Sequence, residues 1–287
     1  MSLPDARIVI LNYNGRELLP RCLPSILQAA RQSSAKVKVT VLDNQSRDGS
    51  EGIMKDYPDA EFVLAPENLV LCSYNGYLKA IPEPVAILLN NDIRVDEDFI
   101  DPLLKHFADE KMFLAAPKVL SFDGSFLEAA ATRAGFRWGM FWASARYPGH
   151  EREADIPSDT FSSGFGAFNT KAFLELGGYD ERYFPGIMED CDLCLRARRA
   201  GYKLVYEPAS RVYHVGQASF HKKYGAKKTS EIAHRNTFLF IWKNYRGARY
   251  LAAHVFWLPA RLLWAALRGN TPFLRGFWLA LKTGRFS

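Results

Sequence analysis

Val85-Ala86-Ile87-Leu88-Leu89-Asn90-Asn91-Asp92 is the stretch that decides how the chain is read. Five apolar residues after Pro84 read as a strand buried on both faces. The run then stops in two amides and a carboxylate. In open α/β sheets, ligands sit beyond the carboxyl ends of parallel strands. A buried strand delivering Asp92 to that edge is placed to hold a metal and a diphosphate. Turn chemistry alone also accounts for Asn-Asn-Asp, so the neighbouring stretches carry the decision.

Upstream, the same pattern occurs twice. Residues 7–11 (Arg-Ile-Val-Ile-Leu) read as a strand ending in Asn12-Tyr13-Asn14-Gly15. Residues 37–42 read as a second, ending in Asp43-Asn44-Gln45-Ser46. Between them, Leu19, Cys22, Leu23, Ile26, Leu27 and Ala30 recur at helical spacing. Ser46-Arg47-Asp48-Gly49-Ser50 is turn and capping chemistry for a short helix to residue 57. Residues 61–64 read as a strand, and 68–80 include a helix. Alternation at this pace means βαβ units and a mainly parallel sheet. The three polar strand ends should therefore converge on one edge.

Downstream the rhythm changes. A helix over 97–108 and a strand over 113–116 precede an aromatic, Gly- and Arg-rich region, 121–159, read as irregular. Residues 160–169 alternate small and aromatic residues, as in a strand passing close to a ligand. Short and longer helices follow at 171–176 and 189–200, then strands at 203–205 and 211–214. Helices are expected at 230–245, 252–267 and 273–281.

The net charge of +6 is unevenly distributed. From Lys203 onward fifteen Lys/Arg face only Glu207 and Glu231, while residues 1–202 hold twenty-two basic and twenty-nine acidic residues. A basic tail suggests an anionic surface. The 252–267 run contains His254, Pro259 and Arg261, and spans need about 20 mostly uncharged residues, so a spanning helix is not expected. Two amphipathic helices with Trp, Phe and basic residues suggest a protein lying on the membrane interface. Packing on the body or a homodimer interface is the alternative. Basic residues interleaved with Trp, Leu and Phe suit lipid better than nucleic acid, so no nucleic-acid partner is expected. No leader is expected at the N-terminus. Cys22, Cys72, Cys191 and Cys194 are scattered, which suits a reducing compartment. Cys191 and Cys194 lack the second pair a zinc site needs.

Residues 8–15, 41–50, 68–76, 88–92 and 177–184 together resemble the family 2 glycosyltransferases of GT-A fold, in particular bacterial rhamnosyl- and galactofuranosyltransferase-like members. Glu189-Asp190-Cys191-Asp192-Leu193-Cys194-Leu195-Arg196, with Gly201-Tyr202 and His214, carries the most specific part. The resemblance implies a Rossmann-like, mainly parallel sheet with helices on both faces, to which the tail's own pattern adds a C-terminal amphipathic helical appendage. Residues 1–225 would form the catalytic domain, with a nucleotide-sugar half over 1–118 and an acceptor half over 119–225. Residues 226–287 would form the membrane-associating tail.

The resemblance also implies roles. Asn12, Asn14, Asp43, Asn44, Asn75, Asn90, Asn91 and Gly164 would bind the donor, a dTDP- or UDP-linked sugar. Asn90-Asn91-Asp92 stands where the family has D-x-D, with an amide in place of the first acid. Asp92 and His214 would then hold Mg²⁺ or Mn²⁺, since hard ions take oxygen and manganese accepts imidazole. Asp190 would be the general base of an inverting displacement, with Glu189 orienting it or the acceptor. Asp192 would point away and pair with Arg196. Trp138, Trp142, Ser163 and Arg235 would meet a saccharide or lipid-linked saccharide acceptor, and Lys243 a lipid-linked diphosphate or headgroups. The expected activity is transfer of a sugar, rhamnose as first guess, in cell-surface polysaccharide synthesis at the cytoplasmic membrane face. A degenerate, non-catalytic carbohydrate-binding protein at the membrane is the rival, on the strength of Asn90.

Overall fold

A computed structural model describes residues 2–216 and 219–284. The first half alternates as expected: β1 (Ala6–Asn12), α1 (Leu19–Gln32), β2 (Val37–Asp43), α2 (Ser50–Ile53), β3 (Ala60–Leu64), α3 (Ser73–Tyr77) and β4 (Val85–Asn90). β5 (Ile93–Val95), α4 (Ile100–Leu104), β6 (Met112–Ser121), β7 (Leu127–Ala129), β8 (Arg133–Arg137), β9 (Met140–Ser144), β10 (Ser158–Asp159) and β11 (Gly166–Asn169) follow. The chain continues through α5 (Thr170–Glu175), α6 (Glu189–Arg199), β12 (Lys203–His214), α7 (Ser219–Asn244), α8 (Ala248–Leu267) and α9 (Thr271–Gly284).

The main sheet runs β10-β12-β6-β11-β4-β1-β2-β3, with β5 added on β12 and β7 on β6. β1, β2, β3 and β4 pair in parallel, as do β6 and β12. β11 is inserted antiparallel between β4 and β6. The result is a mixed α/β sheet, parallel in its first half.

Alternation along β1 shows why a continuous apolar run forms this strand. Ile8 and Ile10 pack with Leu23, Ile26 and Leu103 on one face. Val9 and Leu11 pack with Tyr74, Phe173 and Leu193 on the other. Helices therefore cover both faces, and no residue of β1 remains exposed. Burying each such side chain contributes roughly 1.5–3 kcal/mol.

Three local features differ from the sequence reading. The segments at 203–205 and 211–214 are one strand, β12, whose register against β6 shifts between Glu207 and Arg211. Pro208 lies at that shift; it has no N–H for the ladder, so a break in pairing accommodates it. The region 121–159 holds an antiparallel ribbon of β8 and β9 rather than irregular chain. Its two turn residues, Trp138 (φ 56°) and Gly139 (φ 73°), are both left-handed. That matches the twist-compatible two-residue hairpin turn; a Trp in place of the usual Asn or Asp hides the signal.

The third difference concerns α8. It is longer than expected, and by length and composition it is apolar enough to cross a membrane. Only His254 and Ala265 are buried along it. His254 Nε2 accepts from the Trp242 indole (3.1 Å), so its Nδ1–H donates to the Gly139 carbonyl (2.6 Å). Arg261 Nε donates to the Trp138 carbonyl (2.8 Å). The polar stripe thus docks on the hairpin turn, and Val255, Phe256, Leu263 and Leu267 face outward. This inverts the usual arrangement of a helix on a globular body.

Candidate active site

The three polar strand ends do meet. Parallel register sets Asn12 beside Asp43 and Leu11 beside Asn90. Asn12, fully buried, donates through Nδ2 to Asp43 Oδ2 (2.7 Å) and accepts at Oδ1 from Asn91 Nδ2 (2.8 Å). Asp43 Oδ1 accepts from the Ser46 N–H (2.8 Å). Ser46 Oγ accepts in turn from the Asn14 N–H (2.8 Å), while Asn14 Oδ1 accepts from the Arg47 N–H (2.9 Å). Asn44 Nδ2 donates to the Val70 carbonyl (3.1 Å), leaving its buried Oδ1 without a partner. Asn75 lies apart: its amide makes a reciprocal pair with the backbone of Tyr179, at 2.8 Å in each direction.

Gly15 has no assigned role in the sequence reading, yet the geometry requires it. A Cβ there would lie 2.0 Å from Asn12 Oδ1 and 2.4 Å from Asn91 Nδ2. The amide pair that joins β1 to the loop after β4 leaves no room for a side chain.

At the other end of this edge, Asp92 is buried, with Oδ2 3.3 Å from His214 Nε2. Its Oδ1 has no partner. β5 brings the two together, because Ile93 pairs with His214 across the antiparallel ladder. Glu128 Oε2 lies 2.9 Å from His214 Nδ1 and fixes the ring from behind. Burial alone would lower the His214 pKa, but hydrogen bonds and charge from Asp92 and Glu128 outweigh it and raise it to about 9. An orphaned carboxylate oxygen beside an imidazole backed by a carboxylate is a donor set that fits a divalent cation. Among the described residues no cluster of three or more His, Cys, Asp or Glu side chains forms a complete cage.

The acid pair begins α6. Ile187 (φ 74°) and Met188 (φ 87°) are both left-handed immediately before it. Strained backbone of this kind persists only where surroundings hold it. Here Asn236 of α7 holds it: its Nδ2 donates to the carbonyls of Tyr183 (2.7 Å), Gly186 (2.7 Å) and Ile187 (2.8 Å). Glu189 is buried, its Oε2 has no partner, and burial together with Asp190 pushes its pKa to about 8. Burial also raises Asp190, against opposing hydrogen bonds that include Cys191 and Ser162. Two adjacent carboxyls withdrawn from water resist simultaneous ionisation.

Residues 162–165 join this pair to the Asp92 end. Ser162 Oγ is 3.4 Å from Cys191 Sγ in the first turn of α6. The Phe165 ring centroid is 6.1 Å from that of His214. Three residue steps span at most about 11 Å, so Asp190 and His214 flank one short loop. Ser163 Oγ donates to the Phe165 carbonyl (2.6 Å), and a Cβ at Gly164 would meet nothing within 4 Å. The loop is small-residue chain beside open space.

Asp192 points away from the pair, as its position on the helix requires. It accepts from Arg196 Nε (2.8 Å), Lys243 Nζ (2.7 Å) and Asn244 Nδ2 (2.8 Å). Burial would raise it; Lys243, Asn244 and Arg196 hold it below the ordinary carboxylate range. Lys243 also bridges to Asp180 (2.7 Å). Its expected contact with a lipid diphosphate or headgroups is corrected here, because both carboxylates occupy its ammonium. Arg235 donates to the Phe184 carbonyl and, at 2.8 Å, to Asn236 Oδ1. Trp138 and Trp142 lie on the β8–β9 ribbon facing α8, half exposed.

Sequence reasoning missed Glu128, Asn236, Ser46 and Gly15. Gly15 and Ser46 stood within quoted strand-end motifs; Glu128 and Asn236 reach the site from elements distant in the chain.

Comparison with known proteins agrees with this fold. Residues 7–177 match the Glycosyl transferase family 2 profile. The N-acetylglucosaminyl-diphospho-decaprenol L-rhamnosyltransferase of Mycobacterium tuberculosis is 26% identical over 92% of this chain and 89% of its own length. Among solved structures, the Pyrobaculum calidifontis mannosyltransferase PcManGT in complex with GDP-Man and Mn²⁺ superimposes with a TM-score of 0.61 at 16% identity, over 99% of this chain and 81% of that one. GalNAc-T7 with UDP, GalNAc and Mn²⁺ gives 0.62 at 18% identity, over 85% and 49%. With a profile match running from the first strand past the end of α5, and the mixed α/β sheet of the GT-A fold, the chain belongs to glycosyl transferase family 2.

Proposed function

We propose that this glycosyltransferase is a metal-dependent inverting enzyme that moves a sugar from a nucleoside-diphosphate donor to a lipid-linked saccharide at the cytoplasmic face of a membrane. The observation that carries the reading is the short 162–165 loop, with Asp190 at one end and His214 with Asp92 at the other. The donor's nucleotide would lie along Asn12, Asn14, Asp43, Asn44, Asn90 and Asn91, where Asp43 accepts hydrogen bonds from base or ribose. Asp92 Oδ1 and His214 Nε2 are the atoms that would hold Mg²⁺ or Mn²⁺. When bound, such an ion neutralises charge on the departing diphosphate; the solved relatives named above carry Mn²⁺.

Asp190 takes the proton from the acceptor hydroxyl as that oxygen attacks the anomeric carbon. A carboxylate raised by burial is a stronger base than one in water, which suits that task. Burial and the neighbouring Asp190 raise Glu189, which favours a single negative charge on the pair. The similarity to an N-acetylglucosaminyl-diphospho-decaprenol L-rhamnosyltransferase supports rhamnose as the sugar and a lipid-linked acceptor. The outward apolar face of α8 supports a membrane contact.

A thermal-shift panel of UDP-, dTDP- and GDP-sugars, with and without Mn²⁺, tests donor binding, because a ligand bound only by the folded state raises the melting temperature. No shift with any donor would sink the proposal. Asp190→Asn should abolish most turnover while that shift remains; retained turnover would favour a non-catalytic carbohydrate-binding role.

A further inference from the structure

The β8–β9 ribbon and the last three helices line a half-open cavity of about 490 Å³. That is within the roughly 300–1,000 Å³ of small-molecule sites. Trp138, Trp142, Trp264 and Phe273 supply apolar wall, and Arg137, His234 and Arg261 supply its nitrogen groups. No carboxylate lines it among the described residues. Arg261 uses Nε on the Trp138 carbonyl, and no ion pair neutralises it among the described residues. Arg137 rests its guanidinium 5.5 Å from the Trp138 ring centroid and makes no ion pair there. Burial without a facing acid pulls both Arg261 and His234 down in pKa. Cationic groups placed in an apolar wall are unfavourable until an anion joins them.

The cavity is continuous with apolar surface. Trp264 lines it and is exposed, and Leu263 and Leu267 beside it on α8 are more exposed still. Its floor residues Met140 and Phe141 share one packed cluster with Cys191, next to Asp190, and Met188, next to Glu189, packs against that cluster. A ligand that satisfies both halves is an anion carrying a long apolar chain.

We infer that this cavity binds the phosphate or diphosphate group of a membrane lipid between Arg137, Arg261 and His234, with the hydrocarbon chain lying along the outward face of α8. The inference deepens the reading above and rests on its membrane contact, but not on donor chemistry. Two sources share this chemistry: an anionic phospholipid and a polyprenyl diphosphate.

The test is flotation of the full chain with vesicles of phosphatidylcholine alone, with added phosphatidylglycerol, or with added polyprenyl diphosphate. Anionic vesicles should retain more protein than neutral ones. Arg137→Gln, which removes no hydrogen bond within the described residues, should weaken that retention about fivefold, and the double variant with Arg261→Gln should abolish the preference. Preference for polyprenyl diphosphate over phosphatidylglycerol identifies the lipid-linked acceptor; equal preference, lost in the same variants, identifies a headgroup site. Anionic preference unchanged in both variants overturns the inference. So does an equal loss in Arg249→Gln, a basic residue on α8 outside the cavity, since that would be diffuse surface charge. Thermal shift with UDP and dTDP on the same samples separates this outcome from failure of the donor reading.

Discussion

Glu128 Oε2 lies 2.9 Å from Nδ1 of His214, while Nε2 of the same ring faces Asp92 at 3.3 Å. The imidazole is therefore held between two carboxylates from different parts of the sheet, one behind it and one beside the open oxygen. A carboxylate behind a ligating histidine sets its orientation and basicity, and removing it typically weakens metal affinity about 10–100-fold. Glu128→Gln should weaken Mn²⁺ binding by that order in a direct titration, with the melting temperature of the free protein nearly unchanged. Unaltered Mn²⁺ affinity would remove His214 from the metal site.

Asp190→Asn should lower kcat by roughly 10²–10⁴-fold while leaving donor affinity intact. In the unaltered enzyme the base must be ionised. Because burial raises Asp190, kcat should climb with pH through a midpoint above the ordinary carboxylate range. A midpoint near that of an exposed aspartate would count against Asp190 as the base.

Glu189 makes an independent stability prediction. Its folded pKa, about 8, lies above the usual glutamate value of about 4.3. The native state thus binds the proton more tightly than the unfolded chain, and stability should fall as pH rises between those values. Glu189→Gln should flatten that fall when Tm is followed from pH 5 to pH 8. An equally steep decline in the variant would show that Glu189 ionises freely.

Asn236→Ala should loosen the turn before α6. It removes the donor shared by the carbonyls of Tyr183, Gly186 and Ile187, at a cost of about 1–3 kcal/mol for buried groups left unpaired. Faster amide exchange around residues 183–188, with reduced kcat, is the expected signature. Protection unchanged in that segment would show that other contacts hold it.

Gly15→Ala should damage the nucleotide edge. The new Cβ meets the Asn12–Asn91 amide pair, and overpacking of this kind typically costs about 1–3 kcal/mol. Denaturant unfolding should show the loss, and nucleoside-diphosphate affinity should fall with it. Neither effect appearing would mean that the amide pair can move aside.

What the amino-acid order determined by itself was the parallel half of the sheet and its edge. Short apolar runs such as residues 85–89, bounded by Pro84 and polar residues, read as strands covered on both sides, and parallel connection puts Asn12, Asp43 and Asn90 at the same end. The helix that places Asp192 opposite Asp190, next to Arg196, was legible for the same reason: its period is local. Tertiary structure alone decided how Glu128, His214 and Asp92 meet, since they come from β7, β12 and the β4–β5 turn and no local period links them. It also decided that Lys243 and Asn236 of the basic C-terminal region turn inward to α6 and its preceding loop. Charge composition registers how many basic groups a segment carries, but partner geometry determines which of them reach solvent. The same holds for α8, where His254 and Arg261 were visible as polar interruptions of an apolar run. Only the left-handed turn at Trp138 and Gly139, offering its carbonyls, turned those residues inward and left the apolar face outside.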